Sequence, residues 1–93
     1  MNLEWSADAL ADLNRFAAFL SETHPQLAAI VAREIIAKTE LLSEHPMLGR
    51  PLAGRVEYRE LVLEVAGALY VFQYRYDGVR LVMLRISHGR ERR

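Results

Sequence analysis

The sequence contains no cysteine. That excludes disulfides, thiolate metal sites and a cysteine nucleophile. Glycine and proline together supply only eight of 93 residues, and apolar residues make up 52%. Such a composition excludes a disordered or low-complexity chain. No apolar run approaches the roughly 20 residues that a membrane-spanning helix needs. The opening "MNLEWSADAL" lacks the basic and apolar regions of a secretion signal, so the expected location is the cytoplasm, with no membrane partner. There is also no net charge, since twelve basic residues balance twelve acidic ones.

The balance hides a segregation. Residues 1–48 carry seven acids against three bases, whereas residues 75–93 carry six arginines against Asp77 and Glu91. Charges separated in this way set up a directed field at zero total charge. The positive end is "LRISHGRERR". Ninety-three residues suit one domain, 1–93, whose small core hides about two-thirds of the surface of the unfolded chain.

The chain reads as strand, two helices, then three strands. "NLEW" alternates as a short strand. Ser6 stands where an N-cap belongs, and Asp8 suits the positive end of a helix running from about Ala7 to Ser21. Leu10, Leu13, Ala17 and Leu20 are its expected buried stripe. Asp8, Asp12, Arg15 and Glu22 are expected in water, with the aromatic Phe19 stranded among them. Pro25 fits the first turn of a second helix reaching about Ser43, and the short break predicts an antiparallel helical hairpin.

Pro46, Gly49, Pro51 and Gly54 punctuate a loop, after which the period changes from 3.6 to 2. "VEYRELVLEV" places Arg59, Leu61, Leu63 and Val65 on one face and Glu60, Val62 and Glu64 on the other. In "LYVFQYRY", Tyr70, Phe72, Tyr74 and Tyr76 share a face. Asp77-Gly78 is a hairpin signal leading into "VRLVMLRIS". The predicted fold class is therefore α+β, in the order β-α-α-β-β-β. An N-terminal short strand and an antiparallel helical hairpin pack on one face of a small antiparallel β-sheet, leaving the other face open.

The usual catalytic sets are missing. No glycine-rich phosphate loop is present. His24, His45 and His88 have no metal-ligand spacing, so neither a metal nor a cofactor is expected. Ser87 and His88 are neighbours on a strand and point to opposite faces. What remains is guanidinium, imidazole and phenol: Arg85, His88, Arg90, Arg92 and Arg93 at the end, with Arg59 and Tyr74 on adjacent strand segments. Arginines grip phosphate or carboxylate in a two-pronged geometry. Beside a histidine they could cleave RNA, and without chemistry they could hold an acidic peptide or a nucleic acid.

The pieces "WSADALADLNRFAAFL", "HPMLGRPL", "YREL" and "YVFQYRYDGVRLVMLRISHGR" resemble, in order and spacing, the RelE/ParE superfamily of bacterial toxins from type II toxin–antitoxin modules. The likeness is nearest to the ParE (plasmid stabilisation) branch. It implies a cognate antitoxin that wraps over the toxin, and contact with operator DNA only through the antitoxin complex. Phe19, Asp12 and Arg15 on the acidic hairpin are the candidate antitoxin contacts.

RelE-like members cut messenger RNA on the ribosome, while ParE-like members block DNA gyrase. The RelE arginine of the middle strand falls here at Leu69, and the basic loop before the last strands is reduced to Arg50 and Arg55. The RelE terminal tyrosine has no counterpart, although Arg90 matches a second arginine. These departures imply a non-enzymatic gyrase inhibitor whose target surface is Arg85, His88, Arg90, Arg92, Arg93, Arg59 and Tyr74. The alternative is a ribosome-dependent mRNA interferase with His88 moving the proton and Arg59, Arg85 and Arg90 holding the phosphate. A third reading is a non-toxic binding or regulatory module.

Overall fold

The computed structural model describes residues 2–89. The chain runs β1 (Leu3–Trp5), α1 (Ala7–Thr23), α2 (Pro25–Glu44), β2 (Arg50–Leu52), β3 (Arg55–Val65), β4 (Ala68–Tyr76) and β5 (Leu81–His88). Ser6 caps α1, its hydroxyl oxygen accepting the Ala9 amide at 3.0 Å. The same hydroxyl donates to the Leu84 carbonyl at 2.9 Å, so one side chain starts the helix and ties it to the last strand. His24 alone separates the two helices, and Pro25 opens the second. A one-residue break leaves the helices no room to diverge, and α1 lies against α2 as the hairpin the sequence predicts.

The five strands form one sheet in the order β1-β5-β4-β3-β2. The meander of β3, β4 and β5 is antiparallel, as predicted. Two features extend the expected sheet. β1 pairs in parallel with β5, with Leu3 opposite Leu81 and Trp5 opposite Met83, so the sheet is mixed. The helical hairpin returns the chain to its starting side, which lets first and last strands run together. β2 adds a short antiparallel edge against β3. Its three residues, Arg-Pro-Leu, are too few to show a period and include a proline, which is why the sequence reads as loop there.

The turns also differ from expectation. The tight two-residue hairpin is Ala66-Gly67, with φ of 49° and 85°. That pair of positive values matches the right-handed twist of the strands it joins. At the β4–β5 connection only Gly78 takes positive φ. Asp77 acts through its side chain there, accepting the Val79 and Arg80 amides at 2.9 and 2.8 Å.

The core lies between the helical hairpin and one face of the sheet. It is built from Ala9, Phe16, Val31, Ile35 and Leu42 of the helices and Val65, Tyr70, Phe72, Tyr74, Leu81, Met83 and Ile86 of the strands. On α1 the buried residues are Ala9, Asp12 and Phe16. Leu13 and Leu20 pack at the margin, and Leu10 is exposed. The expected stripe is thus turned by about one residue, because Asp12 occupies a core-facing position that a hydrophobicity pattern assigns to water. Trp5 packs against the core but is only half-buried. No helix among the described residues is long and apolar enough to cross a membrane.

Candidate functional site

Two surfaces flank β4, one at each end. The first is an apolar groove of about 580 Å³ between the start of the β3–β4 hairpin and the helices. Phe16, Phe19, Leu20 and Arg15 of α1 form one wall, and Val65, Ala68 and Tyr70 form the floor with His88. The aromatic rings stack edge to face. Phe16 meets Tyr70 at 5.3 Å between centroids, and Tyr70 meets His88 at 5.2 Å. The Arg15 guanidinium lies 4.7 Å from the centroid of the Phe16 ring. Phe19 stands at the rim, 67% exposed. The groove therefore joins residues predicted for different tasks, since Arg15 and Phe19 come from the antitoxin set and His88 from the target set.

Asp12 does not face water. It is buried, and its carboxylate accepts Arg85 Nε at 2.9 Å, Arg85 Nη2 at 3.2 Å, the Ile86 amide at 2.8 Å and Arg15 Nη2 at 3.4 Å. Burial opposes the charge, but the Arg85 hydrogen bonds, the Ile86 amide and the Arg85 and Arg15 guanidiniums outweigh it. The carboxyl is held below its usual range. β1 covers β5 only as far as Met83. Beyond that point Ser6 and Asp12 take up the outward Leu84 carbonyl and Ile86 amide. Asp12 is thus a brace between helix and sheet edge rather than an open contact. Arg85 leans on it with its side chain 55% exposed.

The second surface is the loop between α2 and β2. Tyr74 and Arg59, predicted as target contacts, lie beneath it in the interior. Tyr74 is fully buried; its hydroxyl donates to the Pro46 carbonyl and accepts the Gly49 amide, both at 2.8 Å. Burial pushes its phenol up, against the opposing pull of the Gly49 amide and Arg59. Arg59 is 8% exposed and donates through Nη1 to the Gly49 carbonyl at 2.7 Å and the Met47 carbonyl at 3.2 Å. Both side chains are buried and bonded to the loop backbone rather than displayed on the surface. The period-2 pattern grouped Arg59 with Leu61, Leu63 and Val65, the face that turns inward, but gave no sign of the loop carbonyls that wait for it.

Sequence reasoning missed Glu60, which is buried on the opposite face of β3. It accepts Arg50 Nη2 at 2.9 Å and Gln73 Nε2 at 3.3 Å. Nothing in the local alternation marks it, because its partners come from β2 and β4. Arg75 pairs with Glu57 and Asp77, and Arg80 grips Glu4 through two bonds of 2.7 and 3.0 Å. Arg90, Arg92 and Arg93, predicted for the target surface, lie outside the described residues. Among the described residues no three His, Asp or Glu side chains gather to hold a metal ion.

A family profile described as the ParE toxin of the type II toxin–antitoxin system parDE matches residues 3–93. Toxin RelE1 of Caulobacter vibrioides is 33% identical over 88 residues, covering 95% of this chain and 92% of that protein. Toxin RelE3 of the same organism is 32% identical over 92 residues, covering 99% and 98%. A chain of the chromosomal ParDE toxin–antitoxin system from P. aeruginosa superposes with a TM-score of 0.75 at 23% identity, covering 95% of each chain. That likeness extends to the fold: two helices on a five-strand sheet in the same order. The chain belongs to the ParE toxin family of type II toxin–antitoxin systems.

Proposed function

We propose that this toxin acts without catalysis, by binding DNA gyrase, and that its antitoxin silences it by filling the apolar groove. The observation that carries the first part is the separation of Arg59 from His88. An RNA-cleaving site needs a proton-transferring group and phosphate-holding cations around one atom. Arg59 is opposite Tyr74 and His88 opposite Tyr70, so about 13 Å of β4 lies between them at roughly 3.3 Å per residue. Arg59 is bonded to two loop carbonyls, and Arg85 to Asp12. Leu69, where a RelE-like arginine would stand, is an exposed aliphatic side chain.

The groove suits an apolar segment. Phe19 offers an uncovered ring, and Arg15 and His88 border it with groups that favour a carboxylate-bearing partner. Membership of the family implies an antitoxin partner. Operator DNA would be reached through it.

The mRNA interferase reading keeps one support: the relatives just described carry the RelE name. Two assays separate the readings. Purified toxin added to a gyrase supercoiling reaction should stop it, and added to a translating extract should leave messenger RNA whole. Intact supercoiling with cut RNA would reverse the assignment, and His88→Ala would then abolish the cuts.

A further inference from the structure

The loop between α2 and β2 displays two adjacent large apolar side chains, Met47 at 62% and Leu48 at 49% exposure. Large apolar side chains are more often found inside, and an exposed apolar patch is the informative exception. Here the backbone makes the opposite arrangement. The Pro46, Met47 and Gly49 carbonyls and the Gly49 amide all bond inward, to Tyr74 and Arg59. With its polar groups turned to the interior, the loop leaves its two large side chains outside. Gly49 is required by the same contact: a Cβ there would sit 2.8 Å from Cε1 of Tyr74 and 2.9 Å from the Glu60 carbonyl. Two buried polar side chains of the sheet thus serve to hold one apolar knob in a fixed position.

Its surroundings say what it fits. Arg50, with a side chain 73% exposed, follows directly, and the exposed Arg55 lies at the far end of the β2–β3 pairing, its guanidinium over the Tyr58 ring at 4.0 Å. Among the described residues, the carboxylate paired with Arg50, that of Glu60, is itself buried. The outward face is therefore apolar at the tip and cationic at the side. A polyanion would be met by cations at the tip, whereas a protein pocket is met by fixed apolar anchors with polar groups at the rim. The knob is also remote from the groove, which lies at the Tyr70 end of β4 while the loop rests on Tyr74.

We infer that Met47 and Leu48 form a rigid knob that inserts into an apolar pocket, rimmed by carboxylates, on the toxin's protein target. The inference rests on the reading of this chain as a toxin that works by binding a protein. It gives Tyr74 and Arg59 the task of positioning residues, acting on the target through the loop they hold.

The test uses the full chain carrying Met47→Ser with Leu48→Ser, and separately Tyr74→Phe. The readouts are growth arrest on induction, inhibition of purified gyrase, and affinity for the cognate antitoxin. The double variant should keep its Tm and bind the antitoxin within about twofold, yet lose about tenfold or more in toxicity and gyrase inhibition, as removal of a central anchor does. Tyr74→Phe frees the loop with both anchors present, and should lose about three- to tenfold in inhibition through lost preorganisation. A double variant as toxic as the parent would overturn the inference. So would one whose antitoxin affinity falls with its toxicity, since the loop would then belong to the antitoxin's footprint. If the parent arrests growth but leaves gyrase untouched, the gyrase reading falls and growth arrest alone decides the knob. A parent that arrests nothing overturns both.

Discussion

Asp12 and Ile86, 74 residues apart in sequence, are joined by a 2.8 Å hydrogen bond from the strand amide to the helix carboxylate. Arg85 adds two more bonds to the same carboxylate, at 2.9 and 3.2 Å. This group couples the helical layer to the sheet at the point where β1 no longer covers β5. Replacing Asp12 by Ala strands a buried amide and leaves Arg85 and Arg15 without their shared acceptor. Discounted for the exposure of Arg85, the loss should be about 2–3 kcal/mol. Asp12→Asn keeps an acceptor and should lose less. Urea unfolding at constant m-value measures both, and a loss under about 0.5 kcal/mol for Asp12→Ala would remove the brace from the account.

The same carboxylate sets an acid limit. Its folded-state pKa lies below the usual 3.8. Its contribution to stability is therefore complete above that unfolded value and is lost as pH falls through the lower folded value. Between about pH 5 and 8 the contribution is constant, and below about pH 4 it declines. Unfolding free energies taken from pH 7 to pH 2 should fall less steeply in Asp12→Asn than in the parent. Parallel curves would show that Asp12 is not the titrating group.

Gly49 meets Tyr74 too closely for any side chain. Gly49→Ala forces either the phenol or the β3 backbone to move, and should destabilise by about 1–3 kcal/mol, as overpacking does. Thermal unfolding detects this as a Tm lowered by several degrees. An unchanged Tm would mean that the loop shifts freely on the sheet, against the hydrogen bonds described above.

Ala66 holds φ at 49° in a tight turn, a conformation that costs a residue with a Cβ about 1 kcal/mol. Ala66→Asn creates Asn-Gly, the pair this turn prefers, and should stabilise the protein by about 0.5–1 kcal/mol. The denaturant midpoint should rise. A fall would indicate that the turn relaxes out of the left-handed region in solution.

Phe19 at the groove rim is 67% exposed and contributes little to the core. Phe19→Ser should leave the Tm unchanged while weakening antitoxin binding by about tenfold or more, the scale of an aromatic anchor. Calorimetric titration with the antitoxin gives the number, and unchanged affinity would move the antitoxin off the groove.

Local chemistry made much of this legible in the sequence. Ser6, Pro25 and the period change after Gly54 mark where helices and strands begin, and the alternation shows that Tyr70, Phe72, Tyr74 and Tyr76 share a face. What stayed hidden depends on partners distant in sequence. Asp12 reads as a solvated acid because Ile86 and Arg85 come from the far end of the chain. Tyr74 and Arg59 read as functional surface because nothing near them in sequence names Pro46, Met47 and Gly49 as their acceptors. Arg80 reads as part of a positive cluster, yet Glu4 of β1 takes it up. β1 itself is recognisable, but its neighbour is not, since a parallel pairing across the sheet leaves no turn to read.

The parallel contact of β1 with β5 orders events during synthesis. β5 sits between β1 and β4, so the first strand translated has no seat until the last one has emerged from the ribosome. The Ser6–Leu84 tie spans 78 residues and cannot form earlier. A chain truncated before β5 consequently has neither a seat for β1 nor a completed groove floor at His88. Closure of the sheet edge and of the groove floor therefore waits on β5, the strand that lies farthest from β1 along the chain.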